Sequence, residues 1–243
     1  MSALGFLVLT LAHAQNGDRA DEDQPDLPAS LVIPPAPALS PSAEAATFTL
    51  PPGLTIELVA AEPLVHDPIA ATFDEEGRLW VVEMRGFMPD VDATGERAPD
   101  GSIAVLRDRD GDGRMDEREV FMHGLVLPRA VAPARGGALV ITPPEVLFCR
   151  DTDGDGAADR FEVVDRIGTS GIESPEHAIN GLVFGPDGGF RCANAPLSYR
   201  HDGQQWLRER TAGGGQWGLT RDDLGRFYYN TNSDPLRGDL YPS

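Results

Sequence analysis

From about residue 47 onward, apolar and polar positions alternate with a period of two, in short runs broken by Gly, Pro and Asp. That rhythm predicts strands rather than helices. The clearest unit is Glu176 to Phe190, EHAINGLVFGPDGGF. It opens polar at Glu176, His177 and Asn180, turns apolar at Leu182, Val183 and Phe184, reverses at Pro186-Asp187-Gly188 and resumes at Phe190. This is the pattern of a β-hairpin with a glycine-centred turn. The turn glycine recurs with similar flanks at Gly77, Gly137 and Gly225. Seven residues before it stand Ala70, Ala130, Gly181 and Gly218, all small; six before it, Ala71, Val131, Leu182 and Leu219; two after it, Leu79, Leu139, Phe190 and Phe227. Repeated hairpins with matched small and apolar columns predict radial repetition of an antiparallel unit, the architecture of a β-propeller.

The first blade is expected to run from Pro68 through FDEEGRLWVVE to SIAVLRD, with the irregular stretch Gly86 to Gly101 as a loop insertion. Loops of that kind are where function concentrates. The second runs from Pro128-Arg129 through GGALVI to VLFCRD and FEVV, and the third adds LSYRHDGQQWLRE to the Glu176 hairpin. The fourth starts at Gln216-Trp217 and shows only the inner hairpin through GRFYYN. Ahead of them, Phe48 and Leu54 to Ala60 (LTIELVA) read as a spare strand, suited to closing a blade that is otherwise absent. The expected fold is therefore an all-β, incomplete propeller with open edges that favour association.

Residues 1–14 form an apolar run ending in Ala12-His13-Ala14, the pattern of a signal peptide, which predicts a periplasmic or extracellular protein. The run is too short to span a bilayer; membrane association through a lipid or anchor stays compatible with it. Residues 15–46, rich in Asp, Glu, Pro, Ala and Ser, lack any period that could bury a face and read as a disordered linker. Residues 47–243 make the propeller part. A net charge of −19 argues against nucleic acid or an anionic membrane as partner, since both need basic patches. Cys149 and Cys192 lie in predicted strands without a Cys-x-x-Cys, which excludes a haem-attachment motif here and leaves two buried thiols or one disulfide as alternatives.

Two stretches carry metal chemistry. Asp108, Asp110, Asp112 and Asp116 recur as Asp151, Asp153, Asp155 and Asp159, at positions one, three, five and nine of a loop with glycine at six. Glu119 and Glu162 stand at position twelve, and Arg114 and Ala157 at position seven, where a backbone carbonyl would serve. This is calcium-ligand spacing, and it predicts two calcium ions. The flanks alternate at period two, so each loop is expected to join strands as an enlarged outer turn rather than to sit between helices, and the position-twelve glutamates fall close to the following strand.

At this point a resemblance enters. EHAINGLVFGPDGGF is similar to the His-x-x-x-x-Leu-x-Phe-Gly-x-Asp-Gly segment of soluble pyrroloquinoline-quinone (PQQ) glucose and sorbosone dehydrogenases. LPPGLTIELVAAEPLVHDPIAATFDEEGRLWVVEMRG, the DTDGDG loops and GQWGLTRDDLGRFYYNTNSDPLRGDL resemble the bacterial membrane-bound dehydrogenase family. The resemblance covers nearly everything from about Leu39 onward and implies about three and a half blades of six. It implies a dehydrogenase that oxidises a sugar or alcohol with PQQ as cofactor and passes electrons to an acceptor such as a c-type cytochrome region. His177 would be the base, and Glu176 would hold its tautomer. In a propeller the residues just before the innermost strands line the channel mouth, so His66-Asp67, Arg129, Glu176-His177-Asn180 and Gln216-Trp217 are expected to converge. On that basis Arg129, Asn180, Gln216 and Trp217 are the expected cofactor contacts, and Arg237 is a further cation to locate. Where the family pattern has a basic residue before Gly-Gln-Trp-Gly, Gly213-Gly214-Gly215 stand here. The rival expectation is a non-catalytic, calcium-stabilised propeller serving as a binding module.

Overall fold

The computed structural model describes residues 37–90 and 92–239, together with residues 30 and 35. The signal-peptide expectation and most of the linker fall outside the described residues. Within the linker's last part, Pro41–Ala45 forms a short helix, α1, with Ser40 as its N-cap and no buried residue. A Ser N-cap followed by Pro at the first turn is a helix-start signal that needs no hydrophobic face.

Fifteen strands among the described residues form four antiparallel sheets. The first is β1 (Pro68–Phe73), β2 (Leu79–Glu83), β3 (Gly101–Arg107) and β4 (Glu117–Leu125), paired in chain order. The second is β5 (Ala130–Ala134), β6 (Gly137–Thr142), β7 (Glu145–Arg150) and β8 (Arg160–Arg166); the third is β9 (Asn180–Phe184), β10 (Gly189–Ala193), β11 (Leu197–His201) and β12 (Trp206–Arg210). The fourth holds β13 (Leu219–Arg221), β14 (Phe227–Thr231) and β15 (Asp234–Gly238). The first strands of successive sheets touch in order, β1 with β5, β5 with β9 and β9 with β13. The result is a β-propeller-like stack of meanders with the first strands innermost.

Strand alternation decides the packing. In the second sheet Val131, Ala138, Val140 and Cys149 face the first sheet's Trp80, Val82, Ile103, Val105 and Phe121. The intervening Ala132, Leu139, Ile141 and Phe148 face Leu182, Phe190, Cys192, Tyr199 and Trp206 of the third. A sheet buried on both sides in this way reads as a nearly continuous apolar run, and each fully buried Val, Leu or Ile is worth roughly 1.5–3 kcal/mol. Cys149 and Cys192 belong to opposite seams; both are free thiols, which resolves the alternative left by the sequence.

Two strand expectations need correction. Leu54 to Ala60 is extended but pairs with no sheet. Its Val59 carbonyl accepts the Met115 N–H at 2.9 Å, and Ala60, Leu64 and Val65 cover the face of the first sheet formed by Val81, Ala104 and Leu106. Alternation shows that a segment can lie on a sheet; it does not supply a ladder partner. Conversely, the fourth sheet, expected to show only an inner hairpin, has a third strand, β15, which contains Arg237. Arg237 pairs across to Tyr229, with its side chain on Asp234. Pro235 and the polar neighbours mask this strand, as proline does on sheet edges.

Candidate functional site

The two acidic loops close the outer hairpins β3–β4 and β7–β8. In the first, Asp108 accepts the Gly111 and Gly113 N–H groups on its two oxygens at 2.7 and 2.9 Å. In the second, Asp151 accepts those of Gly154 and Gly156 at the same distances. Gly113 and Gly156 have φ of +89° and +92°, the left-handed region that only glycine enters without strain. The donated N–H groups, Gly113 foremost for Asp108 and Gly156 for Asp151, hold both carboxyls below their ordinary pKa. Asp108, Asp110 and Asp116 bring carboxylate oxygens within 4.8 Å of one another, as do Asp151, Asp153 and Asp155.

The other expected ligands are placed differently. Asp112 accepts the Arg114 N–H and leaves the first cluster to Asp116. In the second loop Thr152 donates its N–H and hydroxyl to the two oxygens of Asp159, at 3.0 and 2.7 Å, and Asp155 is the third member of the cluster. Ala157 donates its N–H to Asp155. Glu119 and Glu162 sit in β4 and β8, because pairing resumes at Arg107 with Glu117 and at Arg150 with Arg160, two residues before position twelve. Glu162 is exposed. Glu119 pairs with Arg107 at 3.2 Å and leans across to the second loop, where its Oε2 lies 3.3 Å from the Cβ that any other residue would carry at Gly156.

At the inner end, helix α2 (Ser170–Glu173) and a 3-10 turn (Pro175–His177) deliver the chain to β9. The Trp217 indole N–H donates to the Glu176 carbonyl at 3.0 Å, tying the entry of the fourth sheet to that of the third. Asn180, buried, donates to the carbonyls of Ala178 and Gln216 at 3.0 and 2.6 Å. Its amide nitrogen holds these entries together, while its buried Oδ1 has no hydrogen-bond partner among the described residues. His177 is half exposed; its Nδ1 lies 3.4 Å from the Gln216 amide nitrogen, and its Nε2 lies 4.0 Å from Glu176 Oε2. That last separation is too long for a hydrogen bond, so Gln216, not Glu176, is the group positioned to set the imidazole tautomer.

A cavity of about 340 Å³ opens here, lined by Ile69, Met84, Phe87, Pro175, Glu176 and Trp217. His177 sits beside it without lining it. Arg129 is fully buried and also outside the lining: its guanidinium reaches Met84 Sδ at 3.3 Å and donates to the Gly171 carbonyl. Burial lowers its pKa to about 10, against a small opposing effect of Glu96, so it stays charged at neutral pH. His66 is drawn elsewhere, its N–H donating at 3.0 Å to Glu83. Glu83 is a buried carboxylate at the end of β2 that also holds Ser102, Arg85 and Arg118. Burial would raise its pKa, yet these donors outweigh burial and the net shift is downward. The missing basic residue before Gln216 has a steric reason: a Cβ at Gly214 would meet the Tyr229 ring at 2.7 Å, and one at Gly215 the Gly218 carbonyl at 2.8 Å.

Sequence reasoning missed Met84 and Phe87. Phe87 lies in the Gly86 to Gly101 insertion that composition had marked as a functional loop, and Met84 directly follows β2.

The sequence from residue 40 to 243 matches the model of a family described as a domain of unknown function (DUF7133), and the chain belongs to that family. No protein of curated function matches it. Among solved structures, it is similar to a luciferin-regenerating enzyme, with 12% identity over 70% of this chain and 54% of that one and a TM-score of 0.45. It is also similar to a streptogramin B lyase, with 15% identity over 75% of this chain and 57% of that one and a TM-score of 0.39. A protein of unknown function from Dyadobacter fermentans DSM 18053 shows 14% identity over 69% of this chain and 50% of that one, with a TM-score of 0.29. The chain thus spans about half the length of these neighbours. Among the described residues, no helix is long and apolar enough to cross a membrane.

Proposed function

We propose that this is an exported, calcium-stabilised propeller domain that binds a small hydroxylated molecule, a sugar or an alcohol, at the Glu176–Trp217 cavity. The observation that carries the reading is the meeting, at one cavity of about 340 Å³, of an indole, a carboxylate and, at its edge, an imidazole beside a side-chain amide. Cavities of roughly 300–1,000 Å³ suit small ligands. An indole offers an apolar face to ring C–H groups, while carboxylate, amide and imidazole accept from or donate to hydroxyls. Export rests on the apolar run of residues 1–14.

Calcium fits the outer loops. Asp108, Asp110 and Asp116 would hold one ion and Asp151, Asp153 and Asp155 another, as hard carboxylate oxygens suit a hard cation. Bound there, calcium would neutralise crowded carboxylates and fix the outer hairpins. The quinone implied by the family resemblance does not fit the inner site. PQQ is an anion, whereas among the described residues the only charged one in the lining is the acidic Glu176, Arg129 is turned to Gly171, and Gly214 and Gly215 leave no room for a basic side chain. We derive no redox step, and the binding-module reading takes precedence over the dehydrogenase one.

Calorimetric titration of the calcium-loaded protein with sugars and small alcohols tests this. Wild type should bind at least one of them, and Trp217→Ala should weaken that binding about tenfold or more while keeping the circular-dichroism spectrum. Absence of binding by the whole panel would sink the reading, and a substrate-reducible quinone spectrum after adding PQQ would restore the dehydrogenase.

A further inference from the structure

The inner cavity has a one-sided chemistry. Among the described residues Glu176 is the only charged one in the lining and no arginine pairs with its carboxylate; His177 Nε2 lies 4.0 Å from it. The chain contains no lysine, so no flexible ammonium of its own can swing in. The same cavity is lined by two aromatic residues, Phe87 and Trp217, and by Met84. Trp217 is pinned through its N–H to the Glu176 backbone carbonyl, which fixes the indole at this cavity. The cationic Arg129 is outside the lining, with one guanidinium nitrogen on the Met84 sulfur and another on the Gly171 carbonyl. An aromatic face attracts a cation through its quadrupole, and a methionine sulfur is polarisable and adaptable in shape. A carboxylate with no arginine partner attracts the same guest through its charge.

From this juxtaposition we propose that the hydroxylated ligand carries a positive charge: the cavity takes a small amino alcohol or amino sugar, its ammonium against Glu176, Trp217 and Phe87 and its hydroxyls toward His177 and Gln216. The proposal rests on the binding function assigned to this cavity and names its substrate class. It also accounts for the misfit of an anionic quinone, since a site that attracts ammonium repels carboxylates.

The test is calorimetry at pH 7 in calcium with matched pairs: choline against 3,3-dimethylbutan-1-ol, which replaces the charged nitrogen by carbon, and glucosamine against glucose. The cationic member of a pair should bind about tenfold tighter or better. Glu176→Gln should abolish that preference whatever it does to overall affinity; Glu176 is largely exposed, so the change should leave the fold intact. Raising salt should narrow the preference in wild type and leave the variant's ratio flat. If cationic and neutral members bind alike, or if the preference survives in Glu176→Gln, the cation assignment is overturned while the sugar or alcohol reading stands. If none of the four binds, both fall.

Discussion

In each acidic loop the first aspartate accepts the N–H groups of the residues three and five positions on, and the eighth residue donates its N–H outward. Here the loops part. Ala158, in the second, donates to the Phe121 carbonyl of β4, a strand secured in the neighbouring sheet, at 2.8 Å. Met115, in the first, donates to Val59, in a segment that belongs to no sheet. The second loop also receives Glu119 from the neighbouring sheet. The internal geometry is thus a property of a short sequence, while the rigidity of the platform beneath it is supplied by whatever precedes the loop in space. Preorganisation of this kind tightens binding by reducing what must be ordered on association.

The largest consequence concerns calcium. With affinities in the range of about 10⁻⁴ to 10⁻³ M expected of extracellular modules, a calcium concentration a hundred times Kd stabilises by about 2.7 kcal/mol per site. Calorimetry should resolve two sites, with Asp153→Ala removing the tighter and Asp110→Ala the weaker. Two sites of equal affinity would break the comparison, and unchanged heats in both variants would remove calcium from the loops.

Hydrogen exchange gives a smaller but sharper contrast. The Ala158 amide should exchange only with global unfolding, whereas the Met115 amide should open locally as residues 54–60 lift away. Deleting residues up to Ala60 should accelerate exchange at Met115 and leave Ala158 unchanged. Equal protection of the two amides would show that the extended segment is as firm a platform as a strand.

The smallest effect is one the loops should share. Asp108 and Asp151 both have folded pKa values below the ordinary carboxylate range, for the same reason. A depressed carboxylate pKa contributes stability that is complete above the unfolded value of about 3.9 and is lost as pH falls through the folded value. Calcium-free protein should therefore show a thermal midpoint that holds from neutral pH and drops only in acid below about pH 4. Asp108→Asn and Asp151→Asn should each flatten that drop to the same degree, and a marked inequality would show that the platform reaches the first aspartate.

What could be read from the sequence follows how local each feature is. The loops were legible because their donors and acceptors lie within nine residues of one another. The sheet order was legible because turn glycines, small residues and apolar residues recur in columns. Whether Glu119 and Glu162 belong to loop or strand could not be read from spacing alone, because the point where a ladder resumes depends on cross-strand register. The inner site was half visible: residues just before the innermost strands were expected to converge, and of these Glu176 and His177 meet Trp217 and Gln216 through two side-chain contacts. Its walls, Met84 and Phe87, follow a strand end and sit in an insertion, positions that no column marks. A turn device went unnoticed as well. Asp74, three residues before Gly77, accepts the N–H groups of Glu76 and Arg78 together with the Arg78 and Trp80 side chains. Asp222, three before Gly225, repeats this with Leu224, Arg226 and Tyr228. Only two of the four hairpins carry it, so alignment on shared residues passed over it.

The stretch that covers the first sheet, Ala60 to Val65, has a meaning in time as well as in space. It precedes β1 in the chain, so a ribosome delivers the cover before the surface it covers. When the first sheet emerges, the face bearing Val81, Ala104 and Leu106 finds its partner already waiting. Only the face of Trp80, Val82, Ile103 and Val105 must wait for the second sheet. At roughly 5–20 residues per second that wait lasts a few seconds, a window in which the nascent chain shows one sticky side rather than two.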